Sequence, residues 1–122
     1  MIYWINMKNL NYTELSSEAL EFVEVCSVED LPSGERLFVD IDGLPIVVFQ
    51  VAGKYFAIAD VCSHDNGPLG DGDLDGFEVS CPRHGARFDI RNGKACMLPA
   101  VENIPAYPAR VVAGKIEIGI PT

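Results

Sequence analysis

Basic residues are scarce in this sequence: nine Lys and Arg stand against eighteen Asp and Glu, a formal charge of −9. A surface of that sign repels nucleic acid and anionic membranes, so basic partners are expected. Long apolar runs are lacking too, since the most apolar stretch, Leu44 to Gly53, is too short to span a bilayer. The opening MIYWINMKNLNY has neither the basic n-region nor the sustained apolar h-region of a secretory leader. A cytoplasmic, reducing setting is therefore expected, in which closely spaced Cys and His more often hold metal than form disulfides. No long stretch carries a period of 3.6, which argues against a helical bundle. Phosphate-binding loop, dinucleotide fingerprint and Ser/His/Asp set are all missing, so the chain brings neither its own reductant nor a set of groups for chemistry on a substrate.

What is present reads as one all-β domain. Runs rich in Val, Ile and Phe alternate with Gly, Pro and Asp. Candidate strands are Phe22 to Val25, Glu35 to Ile41, Pro45 to Val51, Tyr55 to Ala59, Phe77 to Ser80, Arg87 to Ile90, Tyr107 to Val112 and Lys115 to Gly119. Asp42-Gly43 and Asn92-Gly93 are two-residue hairpin signals, because Asn, Asp and Gly tolerate the positive φ of a primed turn; Ala52-Gly53 and Ala113-Gly114 are weaker versions. Ser27-Val28-Glu29-Asp30 resembles a capping box that opens a single helical turn before Pro32 and Gly34. Residues 1–20 are Asn-rich, lack strand alternation and are expected to be an extension, with a short helix around Ser16 to Leu20 and an alternative start at Met7. The domain proper is residues 21–122.

The chemistry sits in two Gly- and Pro-rich loops, Cys62-Ser-His64-Asp-Asn-Gly67-Pro-Leu-Gly70 and Cys81-Pro-Arg-His84-Gly85-Ala-Arg-Phe88. One thiolate and one imidazole from each make a two-sulfur, two-nitrogen set suited to zinc or to an iron-sulfur cluster. A Cys2His2 zinc finger takes its cysteines together from one hairpin and its histidines together from a helix, whereas here each loop supplies one of each, the order that suits a two-iron centre. Zinc held by the same four residues remains an alternative. Cys26 and Cys96 lie outside both loops and are expected to be buried, reduced thiols. Asp71-Gly-Asp73-Leu-Asp75-Gly76 matches the opening of a calcium-binding EF-hand loop, but the twelfth position, which needs a bidentate Glu, is Pro82. An acidic connector is the better reading.

Cys-x-His, sixteen residues, then Cys-x-x-His resembles the Rieske motif, in which two His replace two Cys on one iron. From Phe22 to Ile120 the sequence is similar to the Rieske-type ferredoxins of bacterial ring-hydroxylating dioxygenase systems. The resemblance implies a Rieske-type antiparallel β-sandwich-like base with a smaller two-loop cluster-binding subdomain, here about residues 57–97, and Leu98-Pro99-Ala100 beside it as a shield for the cluster. It implies one [2Fe-2S] cluster bound by Cys62, His64, Cys81 and His84. It also implies a monomeric electron carrier between an NAD(P)H-dependent flavoprotein reductase and a terminal mononuclear iron oxygenase. The chain is not expected to be that oxygenase, whose second iron needs two further His and a carboxylate, since the sequence has only two His in all. A redox subunit of another multicomponent reductase is the first alternative, and a zinc-stabilised interaction module the second.

High-potential Rieske proteins of respiratory complexes differ from this sequence. They carry one more Cys in each loop, joined as a disulfide, at positions that here hold Gly67 and Arg83. They also resemble one another in a Ser and a Tyr whose hydroxyls donate to sulfur, where this chain has Ala86 and Phe88. Donors aimed at sulfur favour the electron-rich reduced state, so a low potential is expected, near about −150 mV at the bottom of the Rieske range.

Overall fold

The structure is a computed structural model and describes residues 11–63, 67–98 and 102–122. Among these, eleven strands follow one another: β1 Leu20–Ser27, β2 Arg36–Ile41, β3 Leu44–Val51, β4 Lys54–Ala59, β5 Leu74–Asp75, β6 Glu78–Ser80, β7 Arg87–Asp89, β8 Ala95–Met97, β9 Ala106–Tyr107, β10 Ala109–Val112 and β11 Lys115–Pro121. They pair antiparallel into three sheets, ordered β1-β11-β10, β2-β3-β4-β9 and β5-β6-β7-β8. Helical structure among the described residues is limited to 3-10 turns at Tyr12–Glu14, Ser17–Ala19 and Val28–Asp30. No described helix is long and apolar enough to cross a membrane.

The sheet β2-β3-β4-β9 lies in the middle because its strands are apolar on both faces. Successive side chains of a strand point to opposite sides. Ile46 and Val48 of β3 accordingly pack with Ala57, Ala59 and Tyr107 against Ile116, Ile118 and Ile120 of β11. Val47 and Phe49 enter a second core with Ile58, Leu69, Val79, Phe88 and Ile90. Each fully buried side chain of this size contributes about 1.5–3 kcal/mol relative to exposure. One face of the central sheet thus belongs to a sandwich base, and the other carries a smaller sheet built by the chain between β4 and β9.

Two-residue loops join β2 to β3, β3 to β4 and β10 to β11, as the registers Ile41↔Leu44, Val51↔Lys54 and Val112↔Lys115 require. Asp42-Gly43 forms the first of them, as expected. The other two are the signals read as weak, with Ala52 at φ 54° and Ala113 at φ 52°, each followed by a left-handed Gly. Strand pairing fixes the turn there and overrides the preference of Ala against positive φ. Asn92-Gly93 is not a two-residue turn: it lies within a five-residue loop between β7 and β8, where Gly93 alone is left-handed. A Cβ at Gly93 would collide with the carbonyl oxygen of Ile104.

The expected strand Tyr107 to Val112 is two strands in two sheets, β9 on β4 and β10 on β11. Pro108, which has no N–H to donate, stands at the break. Strands β5 and β8, two and three residues long, were too short to leave a periodic signal. Ser27 and Asp30 form the expected capping box around the turn Val28–Asp30. At the N-terminal end, Asn11 bridges to Ala106, and the rings of Tyr12 and Tyr107 lie 5.4 Å apart. Met7, read as an alternative start, lies outside the described residues.

Candidate metal centre

The two ligand loops leave neighbouring sheets and close in the same way. The first follows β4, and the second joins β6 to β7. The Cys62 N–H donates to the carbonyl of Gly67 at 2.8 Å, and the Cys81 N–H donates to the carbonyl of Ala86 at 2.6 Å, so each loop folds back five residues beyond its cysteine. Neither cysteine is in a disulfide, and both are buried, 0% and 2% exposed, in the same apolar cluster. His84 is exposed, carried outward by a turn in which Gly85, at φ 75°, donates its N–H to the Cys81 carbonyl at 3.0 Å. The fourth predicted ligand, His64, lies outside the described residues, as do Pro99 and Ala100 of the expected shield. Leu98 is 72% exposed and Met97 51%.

Residues distant in sequence hold the first loop. Asp60 Oδ1 accepts from the N–H groups of Leu69 at 2.9 Å and Gly70 at 2.6 Å. Arg36, from β2, donates to the carbonyl of Gly70 and, at 2.7 Å, to that of Gly72. A carboxylate at the exit of β4 and a guanidinium from β2 thereby take both kinds of backbone group from the loop's return limb, in charge-assisted bonds stronger than neutral ones. Close approach fixes the same limb, because a Cβ at Gly72 would collide with the Ser80 carbonyl at the end of β6. Sequence reading missed Asp60 and Arg36. Asp60 stands two residues before Cys62, but Arg36 lies thirty-four residues from Gly70, and pairing across that span is not readable from one sequence.

Beneath the second loop, Asp89 is buried and chelated by Arg91, whose Nη2 donates to Oδ2 at 2.8 Å and whose Nε donates to Oδ1 at 3.0 Å. Burial raises the proton affinity of Asp89, but the hydrogen bonds and charge of Arg91, with the charge of Lys94, outweigh it and hold the carboxyl below the usual carboxylate range. Arg91 also lies over the Phe77 ring, 4.4 Å from its centroid. Ala86 and Phe88 are both fully buried and carry no hydroxyl.

The other two cysteines differ from expectation. Cys26 is half-buried, and Cys96 is exposed at β8 rather than buried. Partial burial of each thiol, with Asp30 near Cys26 and Glu78 and Asp89 near Cys96, raises both above the ordinary thiol value, so they stay protonated at neutral pH. The acidic segment Asp71 to Gly76 is no calcium loop, since Leu74–Asp75 is extended and paired with Glu78 and Val79, and Asp75 meets Arg87 at 3.2 Å.

The donors present suit a two-iron, two-sulfur group. Two soft thiols buried in one apolar cluster can take an inner iron, and an exposed imidazole stands farther out. Among the described residues no group of three or more His, Cys, Asp or Glu gathers where it could hold a metal ion. A Rieske centre needs no such group, since each of its irons takes only two protein side chains.

Comparisons with known proteins agree. Residues 21–108 match the Rieske [2Fe-2S] domain family. The 3-phenylpropionate/cinnamic acid dioxygenase ferredoxin subunit of Escherichia coli K12 is 41% identical over 100 residues, 81% of this chain and 93% of that protein. Among solved structures, the ferredoxin of carbazole 1,9a-dioxygenase from Nocardioides aromaticivorans IC177 superposes with a TM-score of 0.77 at 31% identity, covering 83% of this chain and 98% of that one. A chain from the complex of reduced oxygenase and oxidized ferredoxin in carbazole 1,9a-dioxygenase gives 0.74 at 28%, covering 80% and 91%. Motif, three-sheet fold and matched span lead to one conclusion: this chain belongs to the Rieske [2Fe-2S] domain family, whose domain implies one cluster of that type.

Proposed function

We propose that this chain is a soluble, cytoplasmic one-electron carrier, taking electrons from an NAD(P)H-dependent flavoprotein reductase and delivering them to a mononuclear iron oxygenase of the ring-hydroxylating type. Its functional unit is residues 21–122, with about 57–97 as the cluster-binding part and 1–20 as an extension. Cys62 and Cys81 would hold one iron of the cluster, and His64 and His84 the other. When bound, the cluster supplies a one-electron couple. The observation that carries the reading is the pair of buried thiols at the feet of two identically closed loops, with His84 facing solvent.

From that arrangement the residues acquire distinct roles. Buried thiols keep water from the inner sulfur ligands, and the exposed imidazole offers a short path to a docked partner. Asp60 and Arg36 set the first loop against the base, so Cys62 is placed before any metal arrives. With Ala86 and Phe88 as side chains, no hydroxyl reaches toward sulfur from these two positions, which favours a low potential. The relatives support the partner class, being ferredoxin components of dioxygenase systems, one of them in a complex with its oxygenase.

The test is direct. Purified protein should contain two iron and two sulfide per chain, give a Rieske EPR signal after reduction, and lose its electron to a ring-hydroxylating oxygenase in stopped flow. A colourless protein holding one zinc would refute the proposal. Within this reading, Ala86→Ser combined with Phe88→Tyr should raise the midpoint potential measured by voltammetry.

A further inference from the structure

The return limb of the first loop meets the second loop at Gly67. There is no room for a side chain here: a Cβ placed at this position would stand 2.7 Å from both Cζ and Nη2 of Arg83. The Arg83 guanidinium therefore occupies the space that a side chain at position 67 would take. Its Nη1 donates at 2.7 Å to the carbonyl of the next residue, Pro68. Arg83 sits between the two predicted ligand positions of its own loop, Cys81 and His84. Gly67 is the residue whose carbonyl closes the first loop onto the Cys62 N–H.

We propose that Arg83 is a positioning residue, a non-covalent clasp that fastens the second cluster loop to the first across Gly67 and Pro68. The proposal rests on the cluster lying between these loops, as set out above. Asp60 and Arg36 tie the first loop to the base but not to its neighbour. The clasp joins loop to loop. It needs both halves: a planar donor fork at position 83, and no side chain at position 67 to push that fork away. Because the obstructed group is the far end of a flexible side chain, enlarging Gly67 should displace the guanidinium rather than unfold the protein.

The experiment compares holo-protein with Arg83→Gln, Gly67→Ala and the double variant, following the decay of the cluster's visible absorption in the presence of an iron chelator. Each single variant should shorten the half-life about tenfold, the scale of one hydrogen bond to a charged group. The double variant should be no worse than either single one, since both remove the same contact, and Arg83→Lys should restore only part of the loss. An unchanged half-life for Arg83→Gln, or losses that multiply in the double variant, overturns the clasp. If neither single variant can be isolated with its cluster, Gly67→Cys with Arg83→Cys replaces them. Retention in the oxidised protein that is lost when a phosphine reductant opens the disulfide supports the proposal. Retention indifferent to the reductant, or no cluster in either form, overturns it. Wild-type protein without a Rieske EPR signal refutes the carrier reading itself and the clasp with it, an outcome distinct from an intact cluster that ignores position 83.

Discussion

The two faces of the central sheet are covered by different kinds of structure. On one, β1 and β11 run for eight and seven residues and pair along their length. On the other, no strand of the third sheet exceeds three residues. Ladder hydrogen bonds and isoleucine packing hold the base, whereas side chains reaching to backbone groups, those of Asp60, Arg36 and Arg83, hold the loops. The difference separates two requirements: the base supplies cohesion, and the loops turn Cys62 and Cys81 inward and His84 outward, directions that strand pairing alone does not provide, because a strand aims its side chains only up or down.

The sharpest way to break this comparison is Cys81→Ser. Iron content and the EPR signal should be abolished, while the β-sheet circular dichroism persists; a collapse of both would make loops and base one unit. Next in size, Ile118→Ala in the base should lower the unfolding free energy by about 2–5 kcal/mol in denaturant titration, with the midpoint potential unmoved. A shifted potential would couple the two regions.

Asp89 sharpens the comparison through pH. Its carboxyl is held below its unfolded value, so its contribution is full above about pH 4 and fades as pH falls through the lowered folded value. Asp89→Asn should therefore reduce the melting temperature at neutral pH by the equivalent of about 1 kcal/mol, and the gap from wild type should close in strong acid. The smallest effect belongs to the base turns. Ala52→Asn should raise stability by about 0.5–1 kcal/mol by easing a left-handed residue, without altering cluster retention.

Legibility in the sequence follows the same division. The long strands were readable because alternation in Glu35 to Ile41 and the apolar run of β3 state a register that packing enforces. Short β5 and β8 left no pattern, and Pro108 divided what read as one strand into two. In the loops, the Cys and His proposed as metal ligands stood out in the sequence by residue type and spacing. The residues that orient them did not, since the guanidinium of Arg36 and the carboxylate of Asp60 act on backbone groups with no identity in sequence. The pairing of Gly67 with Arg83 was visible only as two missing cysteines. Ala52 and Ala113 show the limit of turn chemistry, because a residue ill suited to positive φ sits there under the command of strands on either side. Cys96 shows the converse: apolar character alone did not bury it, because β8 lies at the outer edge of its sheet.

The chain leaves the central sheet at the end of β4 and returns to the same strand at β9, where Ile58 faces Ala106 and the Ala59 N–H donates to the Pro105 carbonyl at 2.9 Å. Exit and return are thus adjacent rungs of one ladder. Everything between them is one uninterrupted excursion, so no strand of the support on which it stands is threaded through it.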